Sequence, residues 1–247
     1  MREESERIRI IDDNTPFGVR EAYRLIRANL QFICNHEGSK VICITSSVAH
    51  EGKSTISYNL SSVIAEGGSK VLMIDADMRA SNIQESLGLR TRYGLSDILA
   101  GKLSLENYSE AVKEMDDKGM LNVMVCGKYP PNPSELLAST RMKELLDRLK
   151  KEYDVIIIDG TPLCMVSDIL SLSPIIDGYV LVARAEMTNK KVLANSISMI
   201  KNIKGKVLGV ILARKKVKGS KKYGYGGYGS YGSYGSYGKN RIPICST

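Results

Sequence analysis

Six short apolar runs punctuate the chain: VICIT from Val41, VLMID from Val71, NVMVC from Asn122, VIIID from Val155, YVLVA from Tyr179 and VLGVIL from Val207. They are rich in β-branched residues and several are continuous rather than alternating, as expected of strands covered on both faces. Longer amphipathic stretches lie between them and predict helices at about 53–66, 134–151 and 189–203. A further helix is predicted ahead of the first strand, at about 18–35, with Ala22, Leu25, Ile26 and Ile33 on one face broken only by Asn29. Ser134 is placed to cap its helix, although Glu135 follows directly and completes no capping box. Strands alternating with helices call for right-handed crossovers, so the expected fold is α/β with a doubly wound, mainly parallel sheet.

The pattern stops near Ala213. Residues 1–213 are expected to form one domain and 214–247 a disordered tail, with KKYGYGGYGSYGSYGSYGKN over 221–240. Such a run buries too little apolar surface to offset the entropy of ordering. Charge sharpens the boundary. Arg214, Lys215, Lys216, Lys218, Lys221, Lys222, Lys239 and Arg241 give the tail eight bases and no acid, which accounts for the whole net charge of +8. The remainder is neutral. A basic tail can be drawn to anionic lipid, nucleic acid or an acidic partner, or can simply stay solvated.

No apolar run reaches the roughly 18 residues of a membrane helix, and the start, MREESERIRI, is too charged for a secretory signal. A cytoplasmic protein is expected. Cys34, Cys43, Cys126, Cys164 and Cys245 show no CxxC spacing and read as reduced, with Cys43, Cys126 and Cys164 in or beside core runs. Tyr58, Tyr93, Tyr108, Tyr129, Tyr153 and Tyr179 read as half-buried packing residues.

Candidate chemistry gathers at strand ends. After the first strand, Ser47-Val48-Ala49-His50-Glu51-Gly52-Lys53-Ser54 fits GxxxxGK[ST], with Ser47 in the place of the first glycine and Thr55 following. In that motif backbone N–H groups wrap phosphate oxygens at a helix N-terminus, the lysine reaches the β/γ-phosphates, and the hydroxyl helps hold Mg²⁺. His50 reads as a loop filler. The second run ends in Asp75 and Asp77, the fourth in Asp159. Ligands of a doubly wound sheet collect at the carboxyl ends of strands, so three acids there point to one site.

A phosphate loop, a hydrophobic-run-DxD-x-R box and a hydrophobic-run-D-x-x-P box together resemble the bacterial tyrosine kinases, whose fold is a P-loop NTPase of the MinD/ParA type. EAYRLIR, through Glu21, Arg24 and Arg27, is similar to the family's E-x-x-R-x-x-R helix, and PPNPSELL and the tyrosine cluster add to the likeness. The resemblance implies ATP and Mg²⁺ at Lys53, Ser54 and Thr55, with Asp75 as base or orienting group, Asp77 as a metal ligand, and Asp159 completing the metal shell. The roles of Asp75 and Asp77 are open to exchange. Arg79 would stabilise phosphate charge or pair with an acid. Ala213 stands where the family often has asparagine, so adenine contacts are left unassigned.

The resemblance further implies autophosphorylation of Tyr223, Tyr225, Tyr228, Tyr231, Tyr234 and Tyr237, in a ring (an octamer is the size it points to) built through Glu21, Arg24 and Arg27. A transmembrane activator of the polysaccharide co-polymerase kind, a phosphotyrosine phosphatase and a role in capsule or exopolysaccharide synthesis at the inner membrane face belong to the same expectation. Two other functions share parts of this pattern. A positioning ATPase of the MinD/ParA type would carry lysine where Val48 stands, and a non-enzymatic binder would use the Tyr-Gly tail on RNA or a partner. The intact acids speak against the second, and nucleic acid is not an expected partner.

Overall fold

The computed structural model describes residues 8–213; the segment 214–247, with its six expected acceptor tyrosines, lies outside the described residues. In chain order the elements are α1 (Phe17–Ile33), β1 (Lys40–Ser46), α2 (Lys53–Glu66), β2 (Val71–Asp75), α3 (Ile83–Ser86), α4 (Leu95–Leu99), β3 (Val112–Glu114), β4 (Leu121–Met124), α5 (Pro133–Leu137), α6 (Thr140–Leu149), β5 (Val155–Pro162), β6 (Gly178–Arg184), α7 (Lys190–Asn202) and β7 (Val207–Ala213). The strands form one sheet in the order β3-β4-β2-β5-β1-β6-β7. All neighbours are parallel except β3, which runs antiparallel to β4.

Each of the six apolar runs is a strand. Alternate residues of one run serve opposite faces: Val41 and Cys43 pack with α4 and α6, while Ile42 and Ile44 pack with α1 and α2. Two apolar layers therefore sandwich the sheet, and this is why the runs are continuous rather than alternating. The short β3 carries no apolar signal. It is held by the turn after it, where the Asp116 carboxylate accepts from the N–H groups of Met120 (2.8 Å) and Leu121 (3.3 Å).

The helix expected at 134–151 is two helices. Ser139 caps α6 by accepting from Met142 N–H at 3.2 Å, and this cap interrupts the run. Ser134 is not a cap. Pro133 occupies the start of α5 behind Asn132, which leaves the Ser134 hydroxyl free to donate to Asp168. Cys34, Cys43 and Cys126 are buried, but Cys164 is exposed. Tyr58, Tyr108, Tyr153 and Tyr179 are more deeply buried than expected, whereas Tyr129 is 57% exposed.

The α1 helix and the segment ahead of it are each fastened to the phosphate-loop helix. Arg27 Nη1 donates to the Val63 carbonyl of α2 (2.8 Å), and a Cβ at Gly67 would collide with that guanidinium. Near the middle of α2, Asn59 receives Ile11 N–H on its Oδ1 (2.8 Å) and donates to the Arg9 carbonyl (2.7 Å). A cation near the last turn of a helix also complements its dipole.

Gly160 follows Asp159 on β5, and a Cβ there would lie 2.7 Å from Ile169 Cγ1 and 3.2 Å from Cys43 Sγ. Gly160→Ala should therefore cost about 1–3 kcal/mol through overpacking. The check is a urea titration in which the midpoint falls at unchanged slope.

Candidate active site

Residues 47–52 connect β1 to α2 at the carboxyl end of the sheet. Gly52 starts the helix in the left-handed region (φ 94°), and His50 also has positive φ (61°), so the chain curls tightly in front of the helix N-terminus. Ser47 is not among the positive-φ residues, which explains why serine serves in the glycine's place. Its fully buried hydroxyl accepts from Ser196 Oγ at 2.9 Å, and its carbonyl accepts from Cys164 N–H at 3.0 Å. Val48 and the half-buried Ala49 continue the loop, and Ser46 Oγ donates to the Val48 carbonyl at 2.7 Å.

The buried Glu51 carboxylate organises the loop from within. It accepts from the N–H groups of Ser47 (2.7 Å) and Val48 (3.0 Å) and from the Thr188 hydroxyl. Arg184 Nη1 donates to the His50 carbonyl at 3.1 Å. The β6–α7 connection thus braces the phosphate loop. The motif itself carries no sign of Thr188, Arg184 or Ser196, which come from a distant part of the chain.

The acids converge because β5 lies between β1 and β2, and Asp75 and Asp159 are register partners on adjacent strands. Lys53 Nζ is 3.7 Å from Asp77 Oδ2. Asp159 receives two hydroxyls, Ser54 Oγ at 2.6 Å and Ser57 Oγ at 2.8 Å. Asp75 accepts from the Ser81 hydroxyl and, at 3.2 Å, from Asp77 N–H. Thr55 is half-buried in the first turn of α2. Burial pushes Asp75 up to about 8, and the Asp159 carboxylate adds to the effect against the Ser81 hydrogen bond. Burial also raises Asp159, partly offset by Lys53 and the two serines.

The donors suit Mg²⁺. The Ser54 hydroxyl faces a carboxylate oxygen at 2.6 Å, and hard oxygen ligands of this kind are what the ion takes, usually alongside waters and substrate phosphates. Among the described residues no three His, Cys, Asp or Glu side chains gather into a metal cluster. Phosphate oxygens would therefore have to supply much of the coordination.

Arg79 pairs with an acid. Its Nε donates to Asp168 Oδ2 at 2.6 Å and its Nη2 to Oδ1 at 3.1 Å, while Ser134 donates to the same carboxylate. This is how the PPNPSELL segment bears on the site: it anchors the acid that holds the residue two beyond Asp77. Tyr129, just ahead of that segment, donates to the Ser81 carbonyl at 2.8 Å. On α1, Glu21 and Arg24 pair with each other at the surface (2.6 Å), whereas Arg27 turns inward.

A phosphate loop between a strand and a helix of a parallel sheet, with strand-end acids around its lysine, defines a P-loop NTPase domain, and the loop is its nucleotide-binding element. Residues 39–208 match the AAA domain family. Tyrosine-protein kinase YwqD of Bacillus subtilis is 39% identical over 205 residues, covering 83% of this chain and 85% of that protein. The kinase domain of Escherichia coli tyrosine kinase ETK superposes with a TM-score of 0.73 at 30% identity, covering 87% of this chain and 88% of that one. The MinD cell division protein of Aquifex aeolicus superposes less closely, with a TM-score of 0.56 at 26% identity over 72% of this chain and 70% of its own. The chain belongs to the bacterial tyrosine kinases and is a protein-tyrosine kinase by membership. Among the described residues no helix is long and apolar enough to cross a membrane.

Burial tends to raise the Asp168 carboxyl, but hydrogen bonds from Arg79 and Ser134 outweigh it and hold it below the ordinary carboxylate value. With the folded pKa below the unfolded one, the stabilisation is complete above the usual carboxylate range and fades as pH falls through the folded value. Asp168→Asn should cost about 1.5–3 kcal/mol at neutral pH. The gap from wild type should close below about pH 4, as read by thermal melts across that range.

Proposed function

We propose that the chain is an ATP- and Mg²⁺-dependent autokinase whose acceptors are Tyr223, Tyr225, Tyr228, Tyr231, Tyr234 and Tyr237. The observation carrying this reading is the placement of Lys53 against Asp77 (3.7 Å) and of Ser54 against Asp159 (2.6 Å) at the mouth of the phosphate loop. Loop N–H groups from residues 49–52 and the first turn of α2 through Thr55 would cradle the phosphates, Ser47 and Val48 shaping the loop through Glu51, and Lys53 would draw charge from the β/γ oxygens. Ser54, Asp77 and Asp159 would hold the metal, which when bound would neutralise phosphate charge. Asp75 orients the phenol and takes its proton as the tyrosine oxygen bonds to the γ-phosphorus and the bond to ADP breaks.

The tail supplies reach. About 30 Gly- and Ser-rich residues span on the order of 30 Å, enough for transfer between neighbouring subunits. The ring is formed through α1, whose Glu21–Arg24 pair lies at the surface. Each phosphate adds about −1.5 to −2 charges, so six would reverse the tail's positive charge. That reversal loosens the ring and alters the tail's meeting with a transmembrane activator, and a phosphotyrosine phosphatase resets it. The kinase is recruited from the cytoplasm to the inner membrane face and regulates capsule or exopolysaccharide synthesis, a reading supported by family membership rather than by the fold.

Intact-mass spectrometry after incubation with Mg·ATP tests the core of this reading. Successive HPO₃ additions should appear in the wild type and vanish both in Lys53→Met and in a chain ending at Ala213. ATP hydrolysis without any mass gain would favour a positioning ATPase instead. Glu21→Ala with Arg24→Ala should give monomers by size-exclusion chromatography, and an unchanged elution volume would remove α1 from the interface.

A further inference from the structure

A carboxylate is an unexpected side chain to bury inside a loop built for phosphate. Glu51 is fully buried, and no lysine or arginine among the described residues pairs with it. Dipoles alone meet its charge. Its Oε2 accepts from the N–H groups of Ser47 (2.7 Å) and Val48 (3.0 Å), and its Oε1 from the Thr188 hydroxyl. Two consecutive N–H groups turned onto one oxygen make a small anion nest, filled here by the protein itself. The first two amides of the loop are thereby committed to Glu51, and the amides nearer α2 are left for phosphate. A fixed negative charge beside them works against a polyanion, so attraction is not what this carboxylate contributes. What it contributes is shape.

The group that aims Glu51 is itself pinned to the sheet. Thr188 Oγ1 accepts from Arg184 N–H (2.7 Å), and Thr188 N–H donates to the Arg184 carbonyl (2.9 Å), closing the turn at the end of β6. Ala185 N–H donates to the Ala213 carbonyl (2.9 Å), which ties the same turn to β7. Backbone strain marks both sides of the contact. His50, next to Glu51, has φ 61°, and Glu186, two residues before Thr188, has φ 65°. Left-handed backbone at residues other than glycine persists where the surroundings over-determine it, and it gathers where a preset geometry is part of the function. We propose that Thr188, acting through Glu51, is a positioning residue for phosphoryl transfer. It sets the phosphate loop in its working shape before the nucleotide enters, and it touches none of the reacting atoms. The proposal rests on the ATP-dependent reading given above.

The test follows ADP released by the full-length chain over a range of Mg·ATP concentrations, with a thermal melt of every variant. Thr188→Val keeps the side-chain shape and removes the hydroxyl. Its kcat should fall about tenfold, the scale of losing a hydrogen bond to a charged group. Thr188→Ser should restore it. Glu51→Ala should lower kcat about 10- to 100-fold, the effect expected of a small misplacement at the reacting phosphoryl. Its KM for ATP should move less than about threefold, because lost preorganisation and lost repulsion oppose each other in the ground state. Glu51→Gln, whose amide oxygen still accepts both N–H groups, should stay within about threefold of wild type. Adding Thr188→Val to Glu51→Ala should lower kcat no further, since the two act as one unit. Ser196 still holds Ser47 from α7 (2.9 Å), so the loop keeps an anchor in all of these chains. If Glu51→Ala nevertheless fails to fold, the Thr188→Val and Thr188→Ser pair decides. An unchanged kcat in Thr188→Val, no recovery in Thr188→Ser, losses that multiply in the double variant, or a Glu51→Gln as poor as Glu51→Ala overturns the positioning role and leaves the kinase intact. A wild-type chain that releases no ADP sinks the ATP-dependent reading, and the positioning role falls with it.

Discussion

Two carboxylates at the ends of adjacent parallel strands, Asp75 and Asp159, are held side by side with almost no exposure, and a third, Asp77, stands next to them. Like charges in so dry a setting repel strongly, and each loses hydration on burial. Much of the surrounding structure compensates for this. Lys53 offers a cation, Ser54, Ser57 and Ser81 offer hydroxyls, and the turn after Asp77 folds back so that Arg79 and Ala80 present their N–H groups to its carboxylate (3.3 and 3.1 Å). The strand order follows from the same demand, because only with β5 between β1 and β2 do the loop lysine and the three acids share one volume. Such a site is assembled for a ligand that brings its own charges, as a metal-bound triphosphate does.

That view also separates the parts of the fold. The two apolar layers make the sheet stable on either face, whereas the carboxyl edge is held by polar bonds between remote segments: Arg79 to Asp168, Ser47 to Ser196, Glu51 to Thr188. The core tolerates volume-conserving change. The edge does not, since every member of a buried polar network must be satisfied at once.

Much of this was readable in the chain itself. The six strands announced themselves by apolar runs, and the loop and acids by short motifs at run ends, because each of these signals is local. What escaped reading was non-local. The β6–α7 brace involves bonds across more than a hundred residues, and nothing near Thr188 or Arg184 marks them. The β3 strand owes its existence to a turn carboxylate rather than to its own side chains, and the split between α5 and α6 hangs on a single serine cap inside a convincing amphipathic pattern. Arg27 shows the same limit differently. Its guanidinium reaches within the chain to the last turn of α2, a contact that nothing in its motif announces.

The attachment of α1 to the last turn of α2 gives that helix a mechanical character. With 14 residues, α2 is a rod of about 21 Å, bearing the Arg27 contact near one end and Lys53 at the other. A rod of that length, pivoting near its middle on the sheet, would move its tip by roughly 1 Å for a 5° tilt. Displacements of that size are enough to misalign a transferring phosphoryl group. Whatever packs against α1 therefore holds a lever whose short throw ends at the lysine of the phosphate loop.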